Sequence, residues 1–402
     1  MAKHTVNTAQ TAIHLIAKPT YRPTMQNPDR RQLMRTVAGA LAASTLPAWA
    51  QLPKTAPGSR ICTVAQVVDV SVSQIDVSKD FLIGSRAAWQ DINARGGLRG
   101  KTVQHLVLEV DGSAASLRAA VQTLKNQPQC VALSGSVGDH AAAQLTDLMQ
   151  RELPDVAHVA PWLQNATLDA ASNTFPIFAS RQEQVAHAIK SLSVMGITEV
   201  GAIYGSAAEY ASYRQGVDEM ANTLKLRLKS YSPVANLQQL GKTLTPDSPR
   251  VLLFLGGTPE LVQFSQGIEK QAAQRYIIAM SDVNLQTMLQ MGVSRFTPVI
   301  ATQVVPMVNA NLPIVKSFRD TLGRLYDEPP TPQSLAGYIA ARYTYEVLQG
   351  IDGAPTRLSA LQAFQKRSTV DLGGFRIAPD TRSRGTAYVT QSMISTDGRL
   401  LG

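Results

Sequence analysis

Cys130-Val131-Ala132-Leu133-Ser134-Gly135-Ser136-Val137-Gly138 is a short apolar run that stops at a turn of small residues. A helical pattern follows from about Ala141 to Arg151. A strand feeding a glycine turn and then a helix is the repeating unit of a parallel sheet with helical crossovers. The same unit recurs upstream. Arg60 to Val68 reads as a first strand, and Lys79 to Ala94 carries a helical stripe of Phe81, Ile83, Ala87, Ala88 and Ile92. That helix ends at Gly96-Gly97, a cap and turn signal. Val103 to Val110 is a second strand and Ala114 to Asn126 a second helix, and beyond the third helix comes a strand at Val156 to Ala160.

The pattern then restarts. Ser180-Arg181-Gln182-Glu183 is a capping box opening a helix to about Ser193. Val200 to Tyr204 predicts a strand, Tyr210 to Leu224 a helix, and Val251 to Leu255 a strand ending in Gly256-Gly257. A helix from Pro259 to about Ala273 and strands at Tyr276 to Ala279 and Val299 to Val304 follow. Helices at Pro313 to Tyr326 and Ser334 to Leu348 come back to back, then a third at Leu358 to Lys366 and a last strand near Ala387 to Ile394. The expected class is α/β, with two Rossmann-like, doubly wound lobes. The late helices read as an excursion back to the first lobe and the last strand as a return to the second.

The first fifty residues belong to a different kind of segment. Arg30-Arg31-Gln32-Leu33-Met34-Arg35 precedes a short apolar run from Thr36 to Leu46, then Pro47 and Ala48-Trp49-Ala50. A basic region, a short apolar region and a small-x-small site make a signal peptide. The paired arginines resemble a twin-arginine (Tat) signal. The apolar run is far shorter than the ~20 residues of a membrane span. Either Met1 or Met25 can be the start. Cleavage near Ala50 leaves 352 residues, a length that suits two lobes. It also removes Lys3, Lys18, Arg22, Arg30, Arg31 and Arg35 with one acid, Asp29, so the formal charge falls from +9 to +4. Most of the basicity is therefore in the signal, which argues against a nucleic-acid partner. Cys62 and Cys130 lack the close spacing with His that a zinc site needs. They sit at the amino ends of two neighbouring strands, where they either pair or stay as buried thiols.

Ligands of open parallel sheets bind at the carboxyl ends of strands. Ser136, in the turn after the third strand, offers a hydroxyl beside glycines that admit close approach; an ordinary strand-to-helix turn has the same composition. Trp162 is either core or an apolar wall. Tyr210, opening a later helix, is either a partly buried core residue or a cleft residue. Asp282 can meet an ammonium or cap a helix. No H-E-x-x-H, G-x-S-x-G or Walker A pattern is present, and His140 beside Asp139 reads as a turn residue rather than a general base.

Asp91-Ile92-Asn93-Ala94-Arg95-Gly96-Gly97-Leu98-Arg99-Gly100, Ala301-Thr302-Gln303-Val304-Val305-Pro306, Leu335-Ala336-Gly337-Tyr338-Ile339-Ala340-Ala341-Arg342 and Asp371-Leu372-Gly373-Gly374-Phe375 stand in this order. In them the chain from about Arg60 to Gly402 resembles the periplasmic branched-chain amino-acid-binding proteins, type I solute receptors of ABC importers. The resemblance implies two lobes joined by three crossover strands. Residues 60–176 and 306–370 fall to lobe 1, and 177–305 and 371–402 to lobe 2. It implies that Ser136 holds a ligand carboxylate and that Trp162 and Gln164 occupy the grip after the fourth strand. It further implies that Tyr210 stacks over the ligand and Asp282 pairs its ammonium. Trp162 stands where relatives carry a small residue, Tyr210-Ala211 replaces Tyr-Gly, and Asp139-His140 replaces a Thr-rich loop. The leucine-like ligand is therefore not carried over.

The expected function is an exported, monomeric periplasmic receptor that hands a small amino acid or related carboxylate to an ABC permease, with no cofactor and no metal. A periplasmic sensor feeding a regulatory partner has the same lobes, and an enzyme is the remote alternative.

Overall fold

The computed structural model describes residues 62–163, 172–292, 297–378, 388–394 and 400–401. The signal-like residues 1–50 and Gln164 lie outside them.

The chain begins with β1 (Cys62–Asp69), α1 (Ile75–Ala94), β2 (Val103–Val110), α2 (Ala114–Lys125), β3 (Cys130–Ser134), α3 (Asp139–Glu152), β4 (Ala157–Val159) and β5 (Thr174–Phe175). These strands form a sheet ordered β2-β1-β3-β4-β5, parallel throughout. All eight residues of β1 are buried. Val64 and Val68 enter one apolar cluster and Ala65 and Val67 another, on the opposite face. A strand covered on both faces reads as a continuous apolar run, and this one does.

A second run follows: α4 (Arg181–Val194), β6 (Glu199–Tyr204), α5 (Ala207–Thr223), β7 (Arg227–Ser230), α6 (Leu237–Thr243), β8 (Val251–Leu255), α7 (Thr258–Ile268), β9 (Tyr276–Ala279), α8 (Leu285–Gln290) and β10 (Val299–Gln303). Its strands lie parallel in the order β7-β6-β8-β9-β10. Two clusters cover its faces, one around Phe254 and Phe264, the other around Val200 and Tyr204.

The chain then supplies α9 (Pro313–Leu325), α10 (Pro332–Gln349), α11 (Arg357–Gln365), the hairpin β11 (Val370–Asp371) and β12 (Arg376–Ile377), and the strands β13 (Thr390–Ile394) and β14 (Leu400–Leu401). Phe318, Tyr338 and Phe364 of the late helices pack in the same cluster as Val64 and Phe81. The contact of α1 with α10 is so close that a Cβ on Gly84 would meet Ser334 O at 1.7 Å and one on Gly337 would meet Phe81 O at 1.9 Å. Leu372, Phe375 and Ile377 also stay in the first cluster, because the β11–β12 hairpin tucks Phe375 under it. Beyond that, β13 adds to β10 in antiparallel sense and extends the second sheet. The α/β, doubly wound class expected from the sequence is the class observed.

The two thiols are close in register, since Thr63, next to Cys62, is the lateral partner of Cys130. Both are free and buried, and burial pushes each thiol up to about 11. Among the described residues no helix is long and apolar enough to cross a membrane.

Candidate functional site

Each sheet has one switch point, where successive strands run off in opposite directions: β1/β3 in the first and β6/β8 in the second. Loops at the carboxyl ends of such strands leave a crevice where ligands sit. In the first sheet the crevice is shaped by a tight approach of two loops. Asp69 N–H donates to Val137 O at 3.0 Å, and Val137 N–H to Val67 O at 3.0 Å. Gly138 has φ +103°, and a Cβ there would lie 2.4 Å from Asp69 Cβ, so only glycine fits. Gln66, fully buried, donates from Nε2 to Gly135 O at 2.7 Å and fixes the start of the same turn.

Ser136 sits inside this turn, 1% exposed. Its Oγ lies 2.5 Å from His158 Nε2, within the first sheet. Burial lowers His158 to about 3, so the imidazole is neutral, and its Nδ1 has no partner. The Ser136 carbonyl accepts from Trp162 N–H at 2.7 Å. The hydroxyl expected to hold a carboxylate is therefore engaged by His158. Trp162, 2% exposed, packs edge-on to Phe81 at 5.7 Å between ring centroids and against Phe178 at 5.4 Å. Its indole N–H has no partner.

Tyr210 is half-buried on α5, edge-on to Tyr204 at 5.1 Å, with the Arg214 guanidinium 5.3 Å from its ring centre. Asp282, 7% exposed, follows β9 and is ion-paired with Arg181. One of its oxygens, Oδ1, has no partner. The cation that Asp282 meets is thus part of the chain.

Arg181 was legible in the sequence only as a member of the capping box at the start of α4. That box is present: Ser180 Oγ accepts from Glu183 N–H while the Glu183 carboxylate accepts from Ser180 N–H. It aims the next residue into the crevice. Arg181 is 3% exposed and lies 3.8 Å from Asp139 of α3 as well as against Asp282, with its guanidinium 4.6 Å from the Tyr213 ring centre. Burial works against its charge, but Asp282 and Asp139 outweigh that and hold it above the ordinary arginine range. A guanidinium on an aromatic face between two carboxylates is a cation seat in its own right.

Polar bonds hold the loop after β9 against the helices of the first core. Asp80 on α1 accepts from Asn284 Nδ2 at 2.9 Å and from Thr331 Oγ1 at 2.8 Å. Gln333 Nε2 donates to Ser281 O at 3.0 Å. A Cβ on Gly257, at the start of α7, would come within 3.6 Å of Ser73 O, before α1. Among the described residues no group of His, Cys, Asp and Glu could hold a metal ion.

The chain belongs to the periplasmic binding protein family, which it matches over residues 62–398. That family consists of solute-binding receptors. No curated protein matches the chain in sequence. Solved structures of similar fold include an extracellular ligand-binding receptor from Verminephrobacter eiseniae, at TM-score 0.77 and 17% identity, covering 85% of this chain and 100% of that one. A fatty acid ABC transporter substrate-binding protein from Thermomonospora curvata has TM-score 0.74 and 14% identity, covering 84% of this chain and 89% of its own. The branched-chain amino acid transporter substrate-binding protein of Streptococcus pneumoniae, in complex with isoleucine, has TM-score 0.72 and 14% identity, covering 85% and 98%. At such identities the likeness establishes the fold, and the differing ligands of the last two show that the fold does not choose the solute.

Proposed function

We propose that the chain is an exported receptor that captures a small amino acid or related carboxylate between two lobes and delivers it to the permease of an ABC importer in the inner membrane. In this reading lobe 1 takes residues 60–176 and 306–370 and lobe 2 takes 177–305 and 371–402. The twin-arginine-like segment at Arg30-Arg31 directs the chain to the periplasm, where it works as a monomer. The observation that carries the reading is the bridge made by Arg181 between Asp139, on a helix of the first sheet, and Asp282, on a loop of the second. Such a bridge is made when the lobes meet, and a receptor that signals occupancy by hinge closure needs contacts of this kind and no catalytic step. Ser136 with its turn, Trp162, Gln164, Tyr210 and Asp282 are the proposed ligand contacts.

The test is a thermal-shift screen of the purified mature chain against amino acids, amines, amides and small carboxylates. A ligand that binds the folded state alone raises the melting temperature. We expect at least one solute to do so, and small-angle scattering to show a smaller radius of gyration with it bound. A screen in which no solute of any charge binds, or a ligand recovered as product, defeats the receptor reading.

A further inference from the structure

The helices that open onto the crevice do not offer their amino termini as anion sites. A free helix N-terminus favours a carboxylate, since it carries roughly half a positive charge and unpaired N–H groups. Here four such helices each carry an acid in the first turn: α1 has Asp76, α3 has Asp139, α5 has Glu209 and α7 has Glu260. The chain has filled these seats with its own carboxylates. Asp282 adds a fifth, and Arg181 supplies a cation that lies against Asp139 and Asp282. Four termini at roughly half a charge each offset about two of the five acids, and Arg181 one more, which leaves the crevice at roughly −2.

A second observation points the same way. Asp282 is more than nine-tenths buried, yet its Oδ1 has no hydrogen-bond partner. A buried carboxylate oxygen without a donor is costly, and the cost is removed by a ligand that brings one. Arg181 Nε is also unpartnered, but its guanidinium already has two carboxylates against it. The charge of Asp282 reaches Asp76, Glu209 and Glu260, so the free oxygen lies among the acids that bring the excess charge.

We infer that the crevice selects a small organic cation, such as a basic amino acid, a diamine or a guanidinium compound, and rejects acids that lack an ammonium group. This rests on the receptor reading above, and makes positive charge rather than a carboxylate the feature its ligand must carry. Asp282 Oδ1 accepts the first ammonium or guanidinium N–H, while Glu209 and Glu260 supply the surrounding negative potential.

The experiment is isothermal titration of the mature chain at low salt and pH 7 with agmatine, putrescine, L-arginine and L-lysine as cations. L-leucine serves as the neutral zwitterion and isovalerate as the anion. At least one cation binds, isovalerate does not, and affinity falls steeply with added salt. Asp282→Asn weakens the cation by tenfold or more. Because that change also touches Arg181, Glu209→Gln serves as the second variant, and weakens it several-fold with the melting temperature of the free protein retained. Isovalerate or leucine binding as well as the best cation, or no cation binding, overturns the inference. So does cation affinity unchanged in both variants. Tight binding of isovalerate would leave the receptor reading standing, so the two failures are distinguishable.

Discussion

Asp80 Oδ2, on the first helix, accepts a hydrogen bond from Asn284 Nδ2 at 2.9 Å, although the two residues are 204 positions apart. The bond ties the core of the first sheet to the loop after β9 in the second. Asn284 has a further duty, since its Oδ1 accepts from the N–H groups of Gln286 and Thr287 and so caps α8. Asn284→Ala removes a cap worth about 1 kcal/mol and a bond to a carboxylate worth about 1.5–3 kcal/mol. Urea unfolding should show a loss of about 2–4 kcal/mol. Asn284→Asp keeps the cap but sets two carboxylates together, and should be at least as damaging at pH 7. A loss below about 0.5 kcal/mol in the alanine variant would show that the bond does not hold the two parts together.

Acidity gives an independent reading of the same region. Asp76, Asp80, Glu209 and Glu260 are all held above the ordinary carboxylate range, in each case chiefly by burial. Between the ordinary and the raised value the folded chain binds more protons than the unfolded one. Stability conferred by these groups is therefore full below the ordinary value and lost as pH rises through the raised one. Asp111 works in the opposite sense. Bonds from Ser113 and Ser116 lower it to about 2, so its contribution is present above the ordinary value and lost as pH falls toward 2. Burial also lowers His105 to about 4 and His158 to about 3, and their contribution grows as pH rises toward the ordinary histidine value, so the acids are read by difference. Asp76→Asn should gain melting temperature relative to the unchanged chain as pH rises from 5 to 7.5. A difference between the two chains that does not change with pH would contradict the assignment.

What the sequence revealed follows from what folding requires locally. The strands β1, β3, β6 and β8 are buried on both faces, so they show as apolar runs closed by glycine turns, and the parallel class could be read from them. The edge strand β7 is Arg227-Leu228-Lys229-Ser230, mostly polar because one side faces water, and it gave no such run. The two-residue strand β5 and the short helices α6 and α8 are below the length at which a period is visible. Tyr210 and Asp282 were singled out by their places at a helix start and after a strand, with ligand roles that only the resemblance implies. Arg181 was not, because its neighbours Ser180 and Glu183 already accounted for the segment as a helix start. Its partners lie 42 and 101 residues away, and only the assembled fold brings them to it. The pairing of Ser136 with His158 has the same origin: His158 looks like any strand residue until the third and fourth strands are placed side by side.

The crossing of α1 and α10 sets a steric limit. A methyl group at Gly337 would stand 1.9 Å from Phe81 O, and one at Gly84 would stand 1.7 Å from Ser334 O. Both obstacles are backbone, so neither can rotate away. Gly337→Ala should cost about 3 kcal/mol or more, at the upper end of overpacking. Gly84→Ala should do the same. Since either change forces the helices apart, the double variant should cost less than the sum of the two, by more than about 0.5 kcal/mol in a denaturation cycle. Simple additivity would mean that each site relaxes by itself, against the picture of one rigid crossing.

Arg181 is the residue whose replacement separates the two roles of the crevice. With its side chain 3% exposed and that of Asp282 8% exposed, the pair is screened little by solvent. Removing one partner of a buried pair leaves an uncompensated charge and typically costs about 3–5 kcal/mol. Arg181→Met should fall in that range, and it should also lose the stacking on Tyr213. If the cost is mainly the stranded Asp282 carboxylate, then Asp282→Asn in the same chain should return a large part of it. The double variant would then be more stable than Arg181→Met alone. Lowering the pH should rescue Arg181→Met as well, because protonation removes the stranded charge, and that rescue should vanish in the double variant. Equal losses for the single and double variants, with no rescue in acid, would show that Arg181 stabilises through its packing on Tyr213 and not through the pair with Asp282.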